Sequence, residues 1–153
     1  MLERRSIITF IFGLIVVAAN ADTEPDDPEQ WYAKSYAPLW AEVSWDKMDQ
    51  VSSHYDDIIY SHESSGDIVA VQSREWLTAK IKGWRADGWI GSDLAGLTVD
   101  RLNRTTVVFK SRWHDRYSDG VAEYSCAWYM ANLRDGRWLF TNYTDIDCTA
   151  HGF

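Results

Sequence analysis

The fold is decided by residues 105–148, which read TTVVFKSRWHDRYSDGVAEYSCAWYMANLRDGRWLFTNYTDIDC. Two Asp-Gly pairs, Asp119-Gly120 and Asp135-Gly136, divide this stretch into three strand-length runs that are rich in Trp and Tyr. An Asp-Gly pair between alternating runs is the strongest short-range signal for a β-hairpin. The C-terminal third is therefore predicted to form a three-stranded antiparallel meander.

The register of the first hairpin follows if Asp119-Gly120 is a two-residue loop. One face is then largely apolar, with predicted cross-strand pairs Phe109 with Met130, Ser111 with Trp128, Trp113 with Cys126, Asp115 with Tyr124 and Tyr117 with Ala122. Both strands place their apolar residues on this face, which favours the register over a one-residue slip. The orientation of the third strand is less certain from the sequence, because its apolar residues occur at both odd and even positions and so fall on both faces. Either a bulge shifts it or both of its faces are covered.

The rest of the chain precedes this meander. Three helices are predicted: one that starts at Pro28 and kinks at Pro38, a short one from Ser44, and one from Ser73 to about Asp87. Strands are predicted at 58–62, at 68–71, and at 97–102 after a glycine-containing loop. Helices that precede a run of long antiparallel strands indicate an α+β fold. We expect a curved antiparallel sheet with three helices packed on its concave side.

Residues 1–21 are predicted to be a secretory signal peptide. Arg4 and Arg5 precede an apolar run at 7–19, and small residues form a cleavage site before Asp22. An uncleaved N-terminal anchor is the alternative, although the run is short for a transmembrane span. We therefore expect a periplasmic or secreted protein with an acidic, disordered leader at 22–28 and a single domain at 29–153.

The chain is acidic, which bears on its partners. It has 15 Lys and Arg against 23 Asp and Glu, a formal net charge of -8, and loss of residues 1–21 makes this -9. Nucleic acid and anionic membranes are bound by clustered Lys and Arg. We therefore expect neither nucleic acid nor, after signal cleavage, a membrane as a partner. The basic row Lys110, Arg112, His114 and Arg116 is interpreted as a solvated outer face of the sheet.

Cys126 and Cys148 are the only cysteines in the sequence. In an exported protein, two cysteines favour a disulfide. In the predicted register Cys126 lies opposite Asp145, so a bridge to Cys148 requires a bulge or a curled last strand. Two free, buried thiols are the alternative.

The order and spacing of these elements resemble the nuclear transport factor 2-like superfamily, which includes SnoaL-like cyclases and ketosteroid isomerases. The resemblance covers about 29–147 and is carried by Trp31 and Trp40 in the opening helix, Tyr55-Asp56-Asp57-Ile58, the turn at Gly66, Trp76-Leu77, and Asp135-Gly136-Arg137-Trp138. It implies a cone whose open end holds a largely apolar pocket. It says little about activity, because one fold hosts enzymes, binding modules and subunits of assemblies.

Asp115 is the first candidate for chemistry, since it is a lone carboxylate among aromatic residues on the predicted apolar face. A carboxyl in such a place can transfer a proton or donate a hydrogen bond. The alternative interpretation is that Asp115 makes only a structural hydrogen bond at the end of the sheet.

His62 and Glu63 are the second candidates for chemistry. The resemblance to ketosteroid isomerases implies a proton-abstracting acid at about Glu63, and a neighbouring His supplies a partner at neutral pH. Exposed strand-end residues are the alternative there.

The aromatic residues predict a binding site and an interface. Five of them are expected to converge between helices and sheet as ligand-binding residues: Tyr36, Trp40, Trp113, Tyr124 and Trp128. A small apolar or amphipathic molecule would fit there. Tyr129, Trp138 and Phe140 are expected to share the outer face of the sheet, and from that apolar patch we predict a homodimer.

Two functional hypotheses remain open. The first is an enzyme of the isomerase, cyclase or dehydratase kind, in which Asp115 or Glu63 shuttles a proton. The second, which we favour, is a ligand-binding module without a catalytic set. No cofactor is expected, because the sequence has no glycine-rich phosphate loop. The spacing of His54, Asp56, His62 and Glu63 fits no metal signature, so no metal is expected either.

Overall fold

A computed structural model describes residues 27–42, 44–62 and 66–150. The predicted signal at 1–21, the first five residues of the predicted leader and Glu63 lie outside the described residues. Within the described part of the chain, no helix is long and apolar enough to cross a membrane.

Three helical regions lie before the long strands. The first, α1, consists of the α-helical turn Pro28–Trp31, the π-helical segment Tyr32–Tyr36 and the α-helical turn Pro38–Ala41. The second, α2, consists of the 3-10 turn Trp45–Lys47 and the α-helix Met48–Ser52. The third, α3, is Ser73–Ala86, and it buries Leu77 and Ile81 as its spacing predicts.

The start and the irregularity of α1 both follow from its sequence. Asp27 caps the helix, because its carboxylate accepts a hydrogen bond from the backbone N–H of Glu29 at 3.1 Å. Pro38 lacks an N–H and its ring interferes with the preceding turn, so the regular ladder cannot run through it. The backbone N–H of Ala37 instead reaches back five residues to the carbonyl of Tyr32, at 2.9 Å.

Six strands form one sheet. They are β1 (Tyr55–His62), β2 (Ile68–Gln72), β3 (Trp89–Arg101), β4 (Thr106–Tyr117), β5 (Ala122–Arg134) and β6 (Arg137–Ile146). The order across the sheet is β2-β1-β6-β5-β4-β3. All neighbours are antiparallel except β1 and β6, which run parallel, so the sheet is mixed. The α+β class is confirmed, and β3 begins eight residues earlier than predicted because its glycines lie within the strand rather than in a loop.

The predicted register of the first hairpin was wrong by one residue. The loop has three residues, because Tyr117 N–H donates to the carbonyl of Val121 and Gly120 N–H donates to that of Tyr117. Gly120 alone has a positive φ, +85°, which is the geometry of a type I turn that ends in a bulge. The observed pairs are Phe109 with Tyr129, Ser111 with Ala127, Trp113 with Ser125, Asp115 with Glu123 and Arg116 with Ala122.

This shift inverts the two faces of β5, since side chains alternate along a strand. Ala127, Tyr129 and Ala131 face the helices and are buried, whereas Tyr124 and Trp128 lie on the outer face. The predicted outer patch was therefore wrong as well. Its members Tyr129, Trp138 and Phe140 are all buried in the core, at 4%, 2% and 0% exposure.

The second hairpin turns at Asp135-Gly136, as predicted, and its loop has two residues. Arg134 pairs with Arg137, and Asp135 and Gly136 both have positive φ, at +50° and +75°. Further along, β6 gains one residue at Thr141, between the pairs Met130 with Asn142 and Ala131 with Phe140. This bulge is one of the two explanations left open for the parities of the third strand.

The bulge also accounts for the disulfide. It moves Cys126 opposite Ile146 instead of Asp145, and the Cα atoms of Cys126 and Cys148 are 5.3 Å apart. The two cysteines are bridged, and among the described residues no cysteine is free. The link ties the chain beyond β6 to the middle of β5.

The core between helices and sheet is largely aromatic. Tyr32 and Tyr36 of α1 are fully buried, and they pack among Phe109, Tyr129 and Phe140 of the sheet at centroid distances of 4.6 to 5.9 Å. Edge-to-face and tilted contacts of this kind add to the free energy gained by burial. The end of α1 also touches β3, where Gly91 leaves room for the backbone of Ala41.

Candidate functional site

A cavity of about 160 Å³ lies between the helices and the concave face of the sheet. Nine of the sixteen residues that line it are aromatic, and five of these are Trp. The lining consists of Trp40, Tyr55, Trp76, Leu77, Trp84, Trp89, Ser92, Trp113, Asp115, Tyr117, Ser125, Cys126, Ala127, Tyr129, Tyr143 and Asp145. Ser125 and Asp145 are exposed, so the cavity opens to solvent on their side. An apolar concavity with a few polar groups is the usual form of a small-molecule site.

Asp115 is held in this cavity by a chain of hydrogen bonds from β3. Ser92 Oγ donates to Asp115 Oδ1, and Trp89 Nε1 donates to Ser92 Oγ at 2.9 Å. The carboxylate is buried, at 9% exposure, and its backbone pairs directly with that of Ser92. A buried carboxylate is costly unless it accepts hydrogen bonds, so this arrangement stabilises Asp115 at the cavity wall.

A second carboxylate, Asp145, lies at the solvent side of the cavity. The hydroxyl of Tyr143 donates to Asp145 Oδ1, and Lys80 Nζ lies 3.6 Å from Asp145 Oδ2. Burial, with Tyr129 and Asp145 nearby, raises the pKa of Tyr143 well above its ordinary value, so the phenol stays protonated and acts as a donor.

The other lining tyrosines are also neutral. Burial raises the pKa of Tyr55 and Tyr129, and the hydroxyls of Tyr36 and Tyr55 share a hydrogen bond of 2.5 Å. Tyr36 itself lies one layer behind the cavity wall, where burial raises its pKa too. The cavity therefore presents phenol rings and hydroxyls without phenolate charge at neutral pH.

Two indole donors of the lining have no acceptor among the described residues. Trp40 Nε1 and Trp76 Nε1 are both buried and meet no hydrogen-bond partner there. Their side chains are 6% and 8% exposed. Buried polar groups in native proteins are almost always satisfied, and an acceptor on a bound ligand is one way to satisfy these two N–H groups.

A second cavity, of about 210 Å³, is a weaker candidate. It is lined by Trp31, Ser35, Ser53, His54, Gly136, Arg137 and Trp138. Its main polar groups are already occupied by backbone carbonyls: Arg137 Nη2 donates to Ser53 O at 3.1 Å, and His54 Nδ1 lies 2.9 Å from Gln50 O. Burial lowers the pKa of His54. We therefore treat the aromatic cavity as the candidate site.

Comparisons with known proteins bear on the fold. No protein-family model matches the chain, and no curated protein matches it. Solved structures do. A proposed polyketide cyclase from Xanthomonas campestris is 14% identical with a TM-score of 0.53, and the match covers 80% of this chain and 89% of that one. An NTF-2-like protein of unknown function from Shewanella oneidensis is 16% identical with a TM-score of 0.50, over 65% and 83% of the two chains. The chain has the nuclear transport factor 2-like fold.

A third solved structure, whose fold is described as cystatin-like, also matches the chain. A protein of unknown function with a cystatin-like fold from Nostoc punctiforme is 8% identical with a TM-score of 0.57, over 79% of this chain and 90% of that one. Identities this low establish the fold alone, because function resides in the residues of the site rather than in the fold.

Within this nuclear transport factor 2-like domain, the structure brings three of the predicted site residues together. Trp40, Trp113 and Asp115 all line the cavity. Of the other three predicted ligand-binding residues, Tyr36 is buried in the core and does not line the cavity. The remaining two lie on the outer face: Tyr124 is 56% exposed, with Arg112 stacked on its ring at 3.8 Å, and Trp128 lies on that face too. The one-residue register shift is the physical reason for their placement.

The other two catalytic candidates are His62 and Glu63. His62 ends β1 and pairs with Ile68 of β2, and it does not belong to the cavity lining. Glu63 lies outside the described residues. A proton-transfer role for His62 or Glu63 therefore stays a prediction.

Sequence reasoning missed most of the lining from α3 and the sheet ends. Trp76 and Trp84 lie eight residues apart on α3, a spacing that places both on one face of a helix, and this signal was available. Asp145 shares its face with Tyr143, two residues before it. Trp89 and Ser92 could not be found from the pattern, because they lie in a stretch whose glycines resemble a loop.

Proposed function

We propose that this protein is an exported small-molecule-binding domain that holds its ligand in the aromatic cavity. The observation that carries this is the cavity of about 160 Å³, whose wall is made mostly of aromatic rings. Rings supply apolar contact area, and Trp40 Nε1 and Trp76 Nε1, which have no acceptor among the described residues, can donate to a ligand oxygen once their rings turn toward it.

The size of the cavity limits what it takes. An engineered cavity of about 150 Å³ in another protein holds benzene. A ligand that is fully enclosed here is therefore of that order, and a larger ligand extends past Ser125 and Asp145 into solvent. A small apolar or amphipathic molecule with one polar end fits these dimensions.

A blocked cavity tests this proposal. Ser125 lines the open side and is exposed, so Ser125→Phe fills the entrance without removing any core contact. Glu123→Phe is the matched control, two residues away on the same strand and outside the lining. With phenol as the probe, we expect titration of Trp fluorescence to give binding in the wild type and in Glu123→Phe and to lose it in Ser125→Phe. Equal binding by all three proteins would place the phenol site elsewhere.

Export is the second part of the proposal. The N-terminal pattern of Arg4 and Arg5 followed by an apolar run supports it. The bond between Cys126 and Cys148 also supports it, because disulfides persist in oxidising compartments. N-terminal sequencing of the protein purified from its own host is expected to begin at Asp22. A chain that still begins at Met1 would contradict export by this route.

One observation favours a second candidate function, a cofactor-independent isomerase, cyclase or dehydratase. Asp115 is a buried carboxylate in the cavity wall, which is where a proton-transfer group would lie. Among the described residues its side-chain hydrogen-bond donor is Ser92 rather than a Tyr or His, which does not favour proton transfer. If a substrate is found, Asp115→Asn is expected to abolish turnover under this second function, and unchanged turnover would remove Asp115 from the mechanism.

A further inference from the structure

The aromatic cavity has an unusual balance of charge. Among its sixteen described lining residues there are two carboxylates, Asp115 and Asp145, and no Lys, Arg or His. The lining tyrosines add no positive charge and remain neutral phenols. An anionic ligand would therefore approach two carboxylates with no cation in the wall to oppose them, which is unfavourable.

The rings themselves attract positive charge. Five indoles and four phenols present their faces or edges to the cavity, and the face of an aromatic ring carries the negative end of its quadrupole. Trp is the strongest of these partners, and cages of several rings recognise methylated ammonium groups. The composition of this wall is of that kind.

One cation of the protein already uses this chemistry at the rim. Lys80 Nζ lies 5.8 Å from the ring centroid of Trp76 and 6.0 Å from that of Tyr143. It also lies 3.6 Å from Asp145 Oδ2. All three partners of this ammonium line the cavity, although Lys80 does not. This contact is an internal example of an ammonium held by the same rings and the same carboxylate.

The part of the cavity around Asp115 has the same combination of aromatic rings and a carboxylate, but no Lys, Arg or His lines it. Trp89 and Trp113 line the wall on either side of Asp115 along β3 and β4, and Trp40 contacts both rings at centroid distances of 6.3 and 6.5 Å. The nearby guanidinium of Arg116 is engaged by Asp93 at 3.0 Å and by the carbonyl of Ala41 at 2.5 Å. Asp115 thus faces rings and a serine hydroxyl inside the lining.

Granted the proposed binding role of the cavity, we infer that its ligand is a small organic cation, an amine or methylated ammonium, with an oxygen acceptor for the indole N–H groups. The ammonium lies among the Trp rings near Asp115, and the acceptor accepts from Trp40 or Trp76. The cavity volume limits the enclosed part of the ligand to a trimethylammonium group and a short chain.

Three probes of nearly the same shape test the charge. Choline is the cation, 3,3-dimethylbutan-1-ol is its neutral isostere, and 3,3-dimethylbutanoate is an anion of similar size. Calorimetric titration of the purified protein is expected to give a choline affinity about tenfold higher than that of the alcohol, which is about 1.4 kcal/mol, because only the cation gains a desolvated contact with the rings. The anion is expected to bind more weakly than the alcohol.

Variants locate the effect. Asp115→Asn is expected to weaken choline binding about tenfold and to leave binding of the neutral alcohol nearly unchanged. Asp145→Asn, at an exposed position that tolerates change, is expected to weaken choline binding by a smaller factor, because solvent screens that carboxylate. If Asp115→Asn fails to fold, Asp145→Asn still reports on the charge preference.

The possible failures are distinguishable. Equal affinity for choline and the alcohol, or preference for the anion, would overturn the cation inference and leave the cavity as a binding site. The cation inference would also be overturned, and the binding site kept, if Ser125→Phe abolished phenol binding but the wild type did not bind choline at millimolar concentration. Phenol binding that Ser125→Phe does not affect would instead overturn the proposed function.

Discussion

Asp115 on β4 and Ser92 on β3 are direct partners in the sheet, and the serine hydroxyl donates to the carboxylate inside the cavity wall. The pair places a negative charge at a defined depth between aromatic rings, and the indole of Trp89 in turn donates to the serine. The sheet register, rather than any loop, therefore positions the group on which the proton-transfer hypothesis and the cation inference depend.

A double-mutant cycle measures this relationship. Ser92→Ala removes the donor and leaves a buried carboxylate with one partner fewer, so we expect a loss of about 1–3 kcal/mol in the free energy of unfolding. Asp115→Asn removes the charge and keeps the shape. Because the two side chains touch, the double variant is expected to lose less than the two single losses combined. Urea denaturation gives all three values, and strictly additive losses would show that the hydrogen bond contributes nothing.

The buried tyrosines predict a loss of stability at high pH. Burial raises the pKa of Tyr32, Tyr36, Tyr55, Tyr129 and Tyr143 above the ordinary value of 10.0. Above pH 10 the unfolded chain releases these protons while the folded chain keeps them. The free energy of unfolding is therefore undiminished below pH 10 and decreases as the pH rises above it. Urea midpoints above and below pH 10 are expected to show this decrease. Phenolate absorbance that rises for all eight tyrosines while the protein stays folded would contradict it.

Gly91 is expected to resist substitution, in contrast to another glycine. A Cβ at Gly91 would lie 2.3 Å from the carbonyl oxygen of Ala41, so Gly91→Ala forces α1 away from β3 and is expected to cost about 1–3 kcal/mol. Gly83 is the matched control, because a Cβ there meets nothing within 4 Å and the residue lies inside α3. Gly83→Ala is expected to stabilise the protein by about 0.5–1 kcal/mol. Thermal unfolding of both variants checks the contrast, and a neutral Gly91→Ala would disprove the close approach.

The homodimer remains a proposal, now on different residues. The outer face of the sheet carries Trp128 and Met130, both partly exposed in the middle of β5. Sedimentation at micromolar concentration is expected to give a dimer, and Trp128→Glu is expected to give a monomer. Trp45→Glu, at an exposed Trp of α2, is the control and is expected to remain dimeric. A monomeric wild type at this concentration would reject the dimer.

Much of the fold was predictable because alternation and turn residues are local signals. The inward face of β4, with Phe109, Trp113 and Asp115, was predicted correctly from its period of two. The start of α1 at Pro28 and the turn at Asp135-Gly136 were predicted correctly for the same reason. Each depends on a few neighbouring residues and on nothing distant.

The errors have a common physical origin in β5. Asp-Gly is compatible with a two-residue loop and with a three-residue loop that ends in a bulge, and the choice between them changes the register by one. The alternation could not decide, because β5 is apolar on both faces: Tyr124 and Trp128 on one, Ala127 and Tyr129 on the other. Packing against α1 decides it, and that contact is not local in sequence.

The most direct test of ligand binding in the aromatic cavity is to measure which tryptophan signals change when a ligand is added. The chain has nine tryptophans, of which Trp40 and Trp76 line the cavity and have indole N–H groups with no acceptor among the described residues. In a protein with ¹⁵N-labelled Trp, assigned by single Trp→Phe variants, we titrate choline and then 3,3-dimethylbutan-1-ol. The account predicts that whichever probe binds shifts the indole signals of Trp40 and Trp76 and leaves those of Trp45 and Trp128 in place. Shifts confined to Trp45 or Trp128, with Trp40 and Trp76 unchanged at saturation, would contradict it.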